Sequence, residues 1–345
     1  FGETPATDIT IVDESTFTVK VPSLTTFGEI PLSMTIHGVE MNMGDYAAFE
    51  ILASPVITSV ETDNKFSSKA VQVGNTVTIK GTGFRNSTIS SATFGGQDLN
   101  YTVVSDTEIT ASVSEQCAEG EDVITFKFDD VVVDVVSSDK LNMLKAGSDI
   151  SDYILTNVKQ PFESKEGKAS GHCTPVGWQF NYGSGNDGFC HDESKIEEPG
   201  EGLYMNDQGG LLVIQSGWEG RSKKMNGKMF QIFNIPQGIY DVVIDVAELA
   251  TNGGGRKKAG LFISKGGEEQ TPNMDASGNW TENTNLLKSV DFYMPGETYS
   301  ENYKDQRFVI ENLTINYEGE TTLGFVVHFD SNRALKISSI KVLLK

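Results

Sequence analysis

Aromatic and planar polar side chains accumulate after residue 146. All three tryptophans (Trp178, Trp218 and Trp280) lie there, as do four of the five arginines. The face of a pyranose ring presents C–H groups that pack on aromatic rings, and tryptophan offers the largest such surface. Sugar hydroxyls are met by planar groups such as Arg, Asn and Asp, whose charge-assisted hydrogen bonds are the stronger ones. This mixture of residues indicates a surface that binds carbohydrate.

Short β-strands must position these side chains. Strand candidates continue after residue 149, and no apolar stripe with helical spacing is longer than about ten residues. Antiparallel strands with glycine-rich connections are typical of a jelly-roll β-sandwich. The predicted strands are Tyr153–Val158, Val176–Tyr182, Leu203–Asn206, Leu211–Ser216, Lys228–Phe233, Tyr240–Val246, Lys258–Ser264, Leu287–Tyr293, Phe308–Ile315, Thr321–Phe329 and Leu335–Leu344.

Loops at the two ends of such a sandwich alternate along the chain, because each antiparallel strand runs from one end to the other. We take the turn at Pro236–Gly238 as the lower end. The upper end then has the loops 217–227, 249–257, 295–306 and 330–334, with 183–201 beside them. These upper loops contain candidate glycan-binding residues, namely Trp218, Arg221, Asn226, Asn252, Arg256, Tyr299, Tyr303, Asn332 and Arg333, with Asn186 and Asp187.

Each candidate also has a plainer interpretation. Trp218 is either a sugar platform or an anchor that packs its own loop, and each arginine alone fits an ordinary surface position. Trp280, in the lower loop 265–286, is a further candidate platform. Trp178 lies in the middle of a predicted strand, which favours a place in the core.

Enzyme chemistry finds little support in the sequence. A glycosidase needs two carboxylates at a set separation, one with a raised pKa. The pairs Asp192-Glu193 and Glu197-Glu198 lie in polar segments, where solvated charge is the simpler interpretation. The chain has no Gly-x-Ser-x-Gly, no His-Glu-x-x-His and no phosphate-binding glycine loop. We expect no catalytic residues, with an endo-glycanase whose carboxylate pair is unrecognised as an alternative.

Cysteine and histidine suggest three different arrangements. The pairs His172-Cys173 and Cys190-His191 invite a zinc site, but adjacent residues on an extended chain point to opposite faces. A Cys173–Cys190 disulfide and two separate thiols are therefore the open alternatives. Cys117 is predicted to be an unpaired core residue. We expect no cofactor and no metal in the binding site. A structural calcium ion suits the acidity, although no regular calcium loop is present.

The first 146 residues have a different composition. They contain 21 acidic and 8 basic residues, a net charge of −13, within a chain whose net charge is −21. Such an excess repels phosphate backbones, which excludes nucleic acid as a partner. No apolar run approaches the ~18 residues that a membrane helix needs.

This region also contains an internal repeat with an offset of 92 residues. Gly28-Glu29 falls on Gly120-Glu121, and Phe49–Leu52 falls on Leu141–Leu144. A repeat is a whole packing unit. We therefore predict that residues 1–52 are the C-terminal half of one domain, so that the chain opens in the middle of it. Residues 53–146 form a complete second domain and 147–345 the jelly-roll carbohydrate-binding domain.

The complete copy resembles a known family. Its segments Pro55–Val60, Gly74–Phe84 and Thr93–Gly96 are similar to the framework of the IPT/TIG immunoglobulin-like domains. The resemblance implies a β-sandwich that serves as a spacer, with residues 1–52 an IPT/TIG-like half. Some family members contact DNA, a use that the negative charge argues against.

The last domain resembles a galactose-binding-like jelly roll on Met229–Gln231, Ile235–Tyr240 and Leu335–Ile340. More narrowly, it is similar to the C-terminal domains of Bacteroidetes surface glycan-binding proteins. The resemblance implies an all-β chain: tandem immunoglobulin-like sandwiches, the first truncated, followed by a larger jelly-roll sandwich.

That resemblance further implies non-catalytic binding of a polysaccharide or oligosaccharide at the extracellular face of the outer membrane. The membrane is contacted only through a lipid anchor that this chain lacks. The partner would be an outer-membrane glycan transporter complex of the starch-utilisation type. A surface adhesin that binds a protein is the alternative from another class.

Overall fold

The computed structural model describes most of the chain, and its strands confirm the predicted all-β class. It separates into two compact units, Phe1–Leu144 and Lys145–Lys345. The three-domain division predicted from the sequence stays a prediction. The described residues are 1–22, 28–42, 49–129, 131, 133–165, 171–172, 175–182, 204–205, 210–215, 225–251, 257–275, 279–292, 303–329 and 333–345.

The first 52 residues form three separate antiparallel pairs of strands. The strands are β1 (Thr7–Ile11), β2 (Phe17–Lys20), β3 (Gly28–Ile30), β4 (Ser33–Ile36), β5 (Val39–Asn42) and β6 (Phe49–Ile51). β1 pairs with β2, β3 with β6, and β4 with β5. His37 and Gly38, both with positive φ, make the turn between β4 and β5.

A β-sandwich follows in the same unit. Its strands are β7 (Val56–Thr62), β8 (Ala70–Val71), β9 (Val77–Thr82), β10 (Ile89–Phe94), β11 (Gln97–Asp98), β12 (Asn100–Ser105), β13 (Glu108–Ser112), β14 (Gly120–Phe128) and β15 (Val135–Met143). One sheet has the order β11-β10-β14-β15-β8 and the other β12-β13-β9-β7. Their alternating apolar residues close one core, in which Cys117 is a buried free cysteine, as predicted.

The repeat of 92 residues is visible in the strand register. β1 and β2 correspond to β12 and β13, β3 and β4 to β14, and β6 to β15, whereas the positions 92 residues after β5 precede β15. Cross-strand pairs recur at the same offset. Ile11 pairs with Phe17 as Val103 pairs with Ile109, and Gly28 pairs with Ile51 as Gly120 pairs with Met143. The structure thus confirms the internal repeat.

The second unit is built on a larger sandwich. Its elements are the helix α1 (Ser151–Ile154) and the strands β16 (Gly171–His172), β17 (Gln179–Tyr182), β18 (Tyr204–Met205), β19 (Leu212–Gln215), β20 (Met225–Asn234), β21 (Gly238–Thr251), β22 (Lys257–Lys265), β23 (Leu286–Asp291), β24 (Tyr303–Ile315), β25 (Glu320–Phe329) and β26 (Arg333–Leu344). A five-stranded sheet of order β17-β20-β25-β22-β23 faces a four-stranded sheet of order β19-β26-β21-β24. Every pair within these two sheets is antiparallel.

Two sequence predictions are settled inside this unit. Trp178 is in the core, as expected: it is 2% exposed, stacks on Phe325 at 5.8 Å between ring centroids, and donates from Nε1 to a backbone carbonyl. The strand predicted at Tyr153–Val158 is wrong, because residues 151–154 form a short helix. The carboxylate of Asp149 accepts the N–H and O–H of Ser151, a local turn that starts the helix.

Candidate functional site

Most of the predicted glycan-binding residues lie outside the described part of the chain. Only Asn226, Tyr303, Arg333 and Trp280 of the ten candidates fall within the described residues. The other six candidates lie outside the described residues, namely Trp218, Arg221, Asn252, Arg256, Tyr299 and Asn332. The same holds for Asn186 and Asp187 and for the two cysteines discussed as a disulfide, Cys173 and Cys190.

Three of the four described candidates share one end of the sandwich. Tyr303 begins β24 opposite Leu249 of β21, and Arg333 begins β26 opposite Thr251. Asn226 lies at the start of β20, in the other sheet. At this end β21 and β26 meet in the pair Thr251–Arg333, and β20 begins with Met225 opposite Phe329 of β25, so it is the upper end of the loop-counting argument. The site assignment of these three residues stays a prediction.

Trp280 does not lie at the lower end of the sandwich, where its position in the loop 265–286 predicts it. The segment between β22 and β23 leaves the lower end but folds back over the outer face of the five-stranded sheet. There the side chain of Trp280 packs against a cluster formed by Phe230, Phe262 and Val326. The sheet's other face looks into the sandwich, because Phe325 contacts Phe292, which contacts Phe308 of the opposite sheet.

Hydrogen bonds hold the returning segment as a small hairpin. The N–H of Asp275 donates to the Asn279 carbonyl at 2.8 Å, and the N–H of Asn279 donates to the Asp275 carboxylate at 2.9 Å. Met274 and Trp280 pair as an isolated β-bridge, and the N–H of Thr281 donates to a carbonyl across the hairpin. The Trp280 side chain is thus carried by regular backbone pairing, which limits its freedom to move.

Trp280 is fixed at two points and keeps part of its ring exposed. Its Nε1 donates to Oδ1 of Asp291 at 2.5 Å. Its ring lies over Gly260, where an added Cβ would come within 2.5 Å of Cζ2 and 2.8 Å of the Val290 carbonyl. Only glycine leaves room for the ring at that place. The indole is partly buried and therefore offers a rigid aromatic surface.

The strand register places Trp280 near the upper end. Gly260 is the fourth residue of β22, opposite Val326 and, one strand further, Lys228. Asn226 stands two residues before Lys228 in the uninterrupted pairing of β20 with β25. At ~3.4 Å per residue, the row that contains Asn226 is about 7 Å from the row that contains Gly260. The fold thus brings the lower loop, with Trp280, near Asn226, one of the upper-end candidates.

Lys228 anchors the other side of the returning segment. Its Nζ donates to Oγ1 of Thr271 at 2.5 Å and to the carbonyls of Thr271 and Pro272 at 3.3 Å each. Burial lowers the pKa of Lys228 to about 8, against a small opposite effect from Glu268. The charge therefore lies under the segment and not at its exposed surface. Lys228, Gly260 and Asp291 were not singled out by sequence reasoning.

The outer face of the four-stranded sheet has a different chemistry. Three acids of β21 form ion pairs with bases on neighbouring strands or at the C-terminus. The nitrogen–oxygen distance is 2.8 Å between Lys345 and Asp241 and 2.6 Å between Arg307 and Asp245. Glu248 forms the third ion pair, with Lys336. Hydrogen bonds from Lys345 and from Arg307 hold the pKa of Asp241 and of Asp245, respectively, below its usual range.

The described residues show no group of three or more His, Cys, Asp or Glu side chains that could hold a metal ion. The carboxylate pairs at 192–193 and 197–198 lie outside these residues. Within the same described ranges, no helix is long and apolar enough to span a membrane.

Comparison with known proteins identifies one segment. The model of the IPT/TIG domain matches residues 55–139, which confirms the predicted immunoglobulin-like family for the complete copy. A search of the curated proteins finds no match to the sequence.

Solved structures of low similarity include carbohydrate-binding proteins and adhesin domains. The structure of TmCBM61 with β-1,4-galactotriose is 13% identical, covers 49% of this chain and 90% of its own, and has a TM-score of 0.27. The Bacteroides ovatus mixed-linkage glucan protein SGBP-B with a heptasaccharide is 12% identical, covers 99% of this chain and 66% of its own, and has a TM-score of 0.23. The K1 adhesin domain of Lys-gingipain from Porphyromonas gingivalis is 14% identical, covers 50% and 92%, and has a TM-score of 0.29.

Proposed function

We propose that the protein is a non-catalytic glycan-binding protein and that Trp280 is the aromatic platform of its binding site. One observation carries the proposal. Trp280 is seated on Gly260, fastened to Asp291 through its indole N–H, and still partly exposed. A tryptophan that served only to fill a core would be covered, as Trp178 is.

The arrangement suits the shape and chemistry of a sugar. The C–H face of a pyranose stacks on the exposed part of the indole, and the ring is already immobilised, so little side-chain entropy is lost on binding. The carboxylate of Asp291 at the edge of the ring accepts hydrogen bonds from hydroxyl groups. The upper-end candidates Asn226, Tyr303 and Arg333 would extend the site along a longer chain of sugars.

The cellular setting is also a proposal and rests on the family resemblance. We place the protein at the extracellular face of the outer membrane, held by a lipid anchor. There it passes polysaccharide or oligosaccharide to an outer-membrane importer. The IPT/TIG-like part acts as the spacer between the anchor and the binding domain.

Affinity electrophoresis through gels that contain plant, algal or host polysaccharides tests the binding. We expect at least one polysaccharide to retard the protein, and Trp280→Ala to reduce that retardation strongly. Tyr101→Ala is the matched control, since Tyr101 is an exposed aromatic residue of the other unit. Retardation by no polysaccharide, or an unchanged retardation of the Trp280 variant, contradicts the proposal.

Two further outcomes favour the alternatives. Release of reducing sugar from a retained polysaccharide would indicate an endo-glycanase, and the proposal of a non-catalytic protein would then be wrong. Binding to a protein of the host surface, with no polysaccharide retained, would indicate an adhesin.

A further inference from the structure

One acidic side chain lies directly at the edge of the Trp280 ring. Oδ1 of Asp291 accepts the indole N–H at 2.5 Å, and Asp291 itself is exposed. On the other sheet, the acid Asp245 is ion-paired with Arg307. No ion pair of the described part of the chain involves Asp291. The negative charge beside the indole is therefore not compensated by a basic partner.

The neighbouring charged residues do not reverse the sign of this charge. Asp275, at the hairpin turn, and Glu282, two residues after Trp280, are acidic and exposed. Lys258 is basic and lies on the same side of β22 as Gly260, two positions before it, and it is half-buried. At ~3.4 Å per residue, Lys258 is about 7 Å further along the strand. The charge nearest to the indole is thus negative.

Two further lysines of this sheet are directed away from the ring. Nζ of Lys228 donates to the carbonyls of Thr271 and Pro272 and lies beneath the returning segment. Lys288 stands three residues before Asp291 in the uninterrupted pairing of β23 with β22. Because successive side chains of a strand alternate between its faces, Lys288 points to the face opposite Asp291. Neither lysine compensates the charge beside the indole.

We propose that this charge makes the binding site selective for neutral sugars and that Asp291 is the residue that sets the selectivity. The inference rests on the proposed glycan binding at Trp280. A pyranose that stacks on the indole brings its substituents close to the Asp291 carboxylate. A hydroxyl group there donates a charge-assisted hydrogen bond, whereas the carboxylate of a uronic acid or a sulfate group is repelled.

Coulomb's law gives the size and the salt dependence of the effect. Two like charges about 5 Å apart repel each other enough in water to weaken binding about fourfold, and more strongly at a partly dehydrated surface. The screening length falls from ~30 Å at 0.01 M salt to ~3 Å at 1 M. The preference for a neutral sugar should therefore be largest at low ionic strength and decrease as salt is added.

Matched forms of the same polysaccharide test the inference. The primary hydroxyl groups of amylose, galactomannan, β-1,4-galactan and mixed-linkage β-glucan are oxidised to carboxylates. Part of each product is then converted to the primary amide, which has nearly the same shape and no charge. Isothermal titration calorimetry with the full chain compares the two forms. We expect the amide to bind about fivefold more tightly than the carboxylate at low salt.

Two variants assign the preference to one side chain. Asp291→Asn removes the charge but keeps an oxygen that accepts the indole N–H. It should bind the amide form within about twofold of the wild type and reduce the preference to about twofold. Asp245→Asn is the matched control, because it changes the net charge by the same amount on the other sheet. This control should keep the full preference.

The other outcomes overturn the inference. Equal affinity of the wild type for both forms would show that charge does not select the sugar. The same preference in Asp291→Asn as in the wild type would assign it to another residue. If the unmodified polymer bound and both modified forms did not, shape and not charge would exclude them. Binding of no polymer in any form would contradict the glycan-binding function itself, and the inference would fall with it.

Discussion

The two outer faces of the second unit's sandwich differ sharply. On the five-stranded sheet, Phe230, Phe262 and Val326 lie under a hairpin that presents Trp280. On the four-stranded sheet, β21 presents Asp241 and Asp245 to basic partners. Exposed ion pairs of this kind are compatible with a sheet face that stays in contact with water. An apolar outer face needs a cover, and here the cover is also the candidate binding element.

This contrast indicates how the platform is made rigid. The hairpin is fixed from below by a small secondary core and from its sides by Lys228 and Asp291. The ion-paired face has no comparable aromatic residue among the described ones. The difference between the faces therefore predicts that binding and stability respond to substitutions on one face far more than on the other.

The largest effect should follow from removing the aromatic support. Phe262→Ala deletes a fully buried ring under the hairpin and should lower the free energy of unfolding by about 3–5 kcal/mol. The matched control is Val309→Ala on the four-stranded sheet, where the side chain is 42% exposed, and its effect should be below about 0.5 kcal/mol. Urea denaturation measures both, and similar losses would refute the contrast.

The next effect concerns the pH dependence of stability. The pKa of Lys228 is about 8 in the folded protein, below the ordinary lysine value of 10.5, so between these two values the unfolded chain binds more protons. The free energy of unfolding should therefore rise with pH in this window, by about 3 kcal/mol in total. Lys228→Met should flatten that rise, whereas Lys341→Met on the other sheet should leave it in place. An identical rise in the Lys228 variant would show that this lysine is not the cause.

A smaller effect should come from disturbing the seat of the indole. Gly260→Ala puts a methyl group into the space of the Trp280 ring, and we expect glycan affinity to fall about tenfold, or ~1.4 kcal/mol. A double-mutant cycle with Trp280→Ala checks the route of the effect. The second substitution should add nothing to the loss in the Trp280 variant. If the two losses of affinity added fully, Gly260 would affect binding by a route other than Trp280.

The smallest effect belongs to the ion-paired face. Asp245→Asn should change the free energy of unfolding at neutral pH by ~0.2–1 kcal/mol and leave glycan affinity unchanged. Because the pKa of Asp245 is lowered, its stabilisation is present above the usual carboxylate pKa and is lost as the pH falls through the folded value. Thermal unfolding between pH 7 and pH 3 should show the wild type and the variant converging. If the stability curves of the wild type and the variant stayed parallel over this pH range, the Asp245–Arg307 ion pair would not be the cause of their difference.

The sequence pattern predicts the strands well and the hairpin poorly. The predicted strands Lys228–Phe233, Lys258–Ser264 and Thr321–Phe329 correspond to β20, β22 and β25. A signal for the covered face was present, since Ala259 to Ile263 is a continuous apolar run, typical of a strand buried on both sides. The segment that covers this face is set by the fit of Trp280 over Gly260. The spacing of apolar residues in the sequence carries no information about that fit.

The site itself was only partly predictable for a similar reason. Loop alternation follows from strand direction, and it places Tyr303 and Arg333 at one end, where the register also has them. Loop alternation alone left Trp280 at the opposite end, because it treats a long loop as a simple turn. The helix at Ser151–Ile154 was missed because a single side-chain turn at Asp149 decides it.

The indole N–H signals of the three tryptophans test the central claim most directly. The protein is labelled with ¹⁵N, the signals are assigned with Trp280→Phe and Trp218→Phe, and an oligosaccharide of a retained polysaccharide is titrated in. The account predicts that the Trp280 signal shifts with saturation while the signal of the buried Trp178 stays in place. A saturable shift of the Trp218 signal, with Trp280 unmoved, would contradict it.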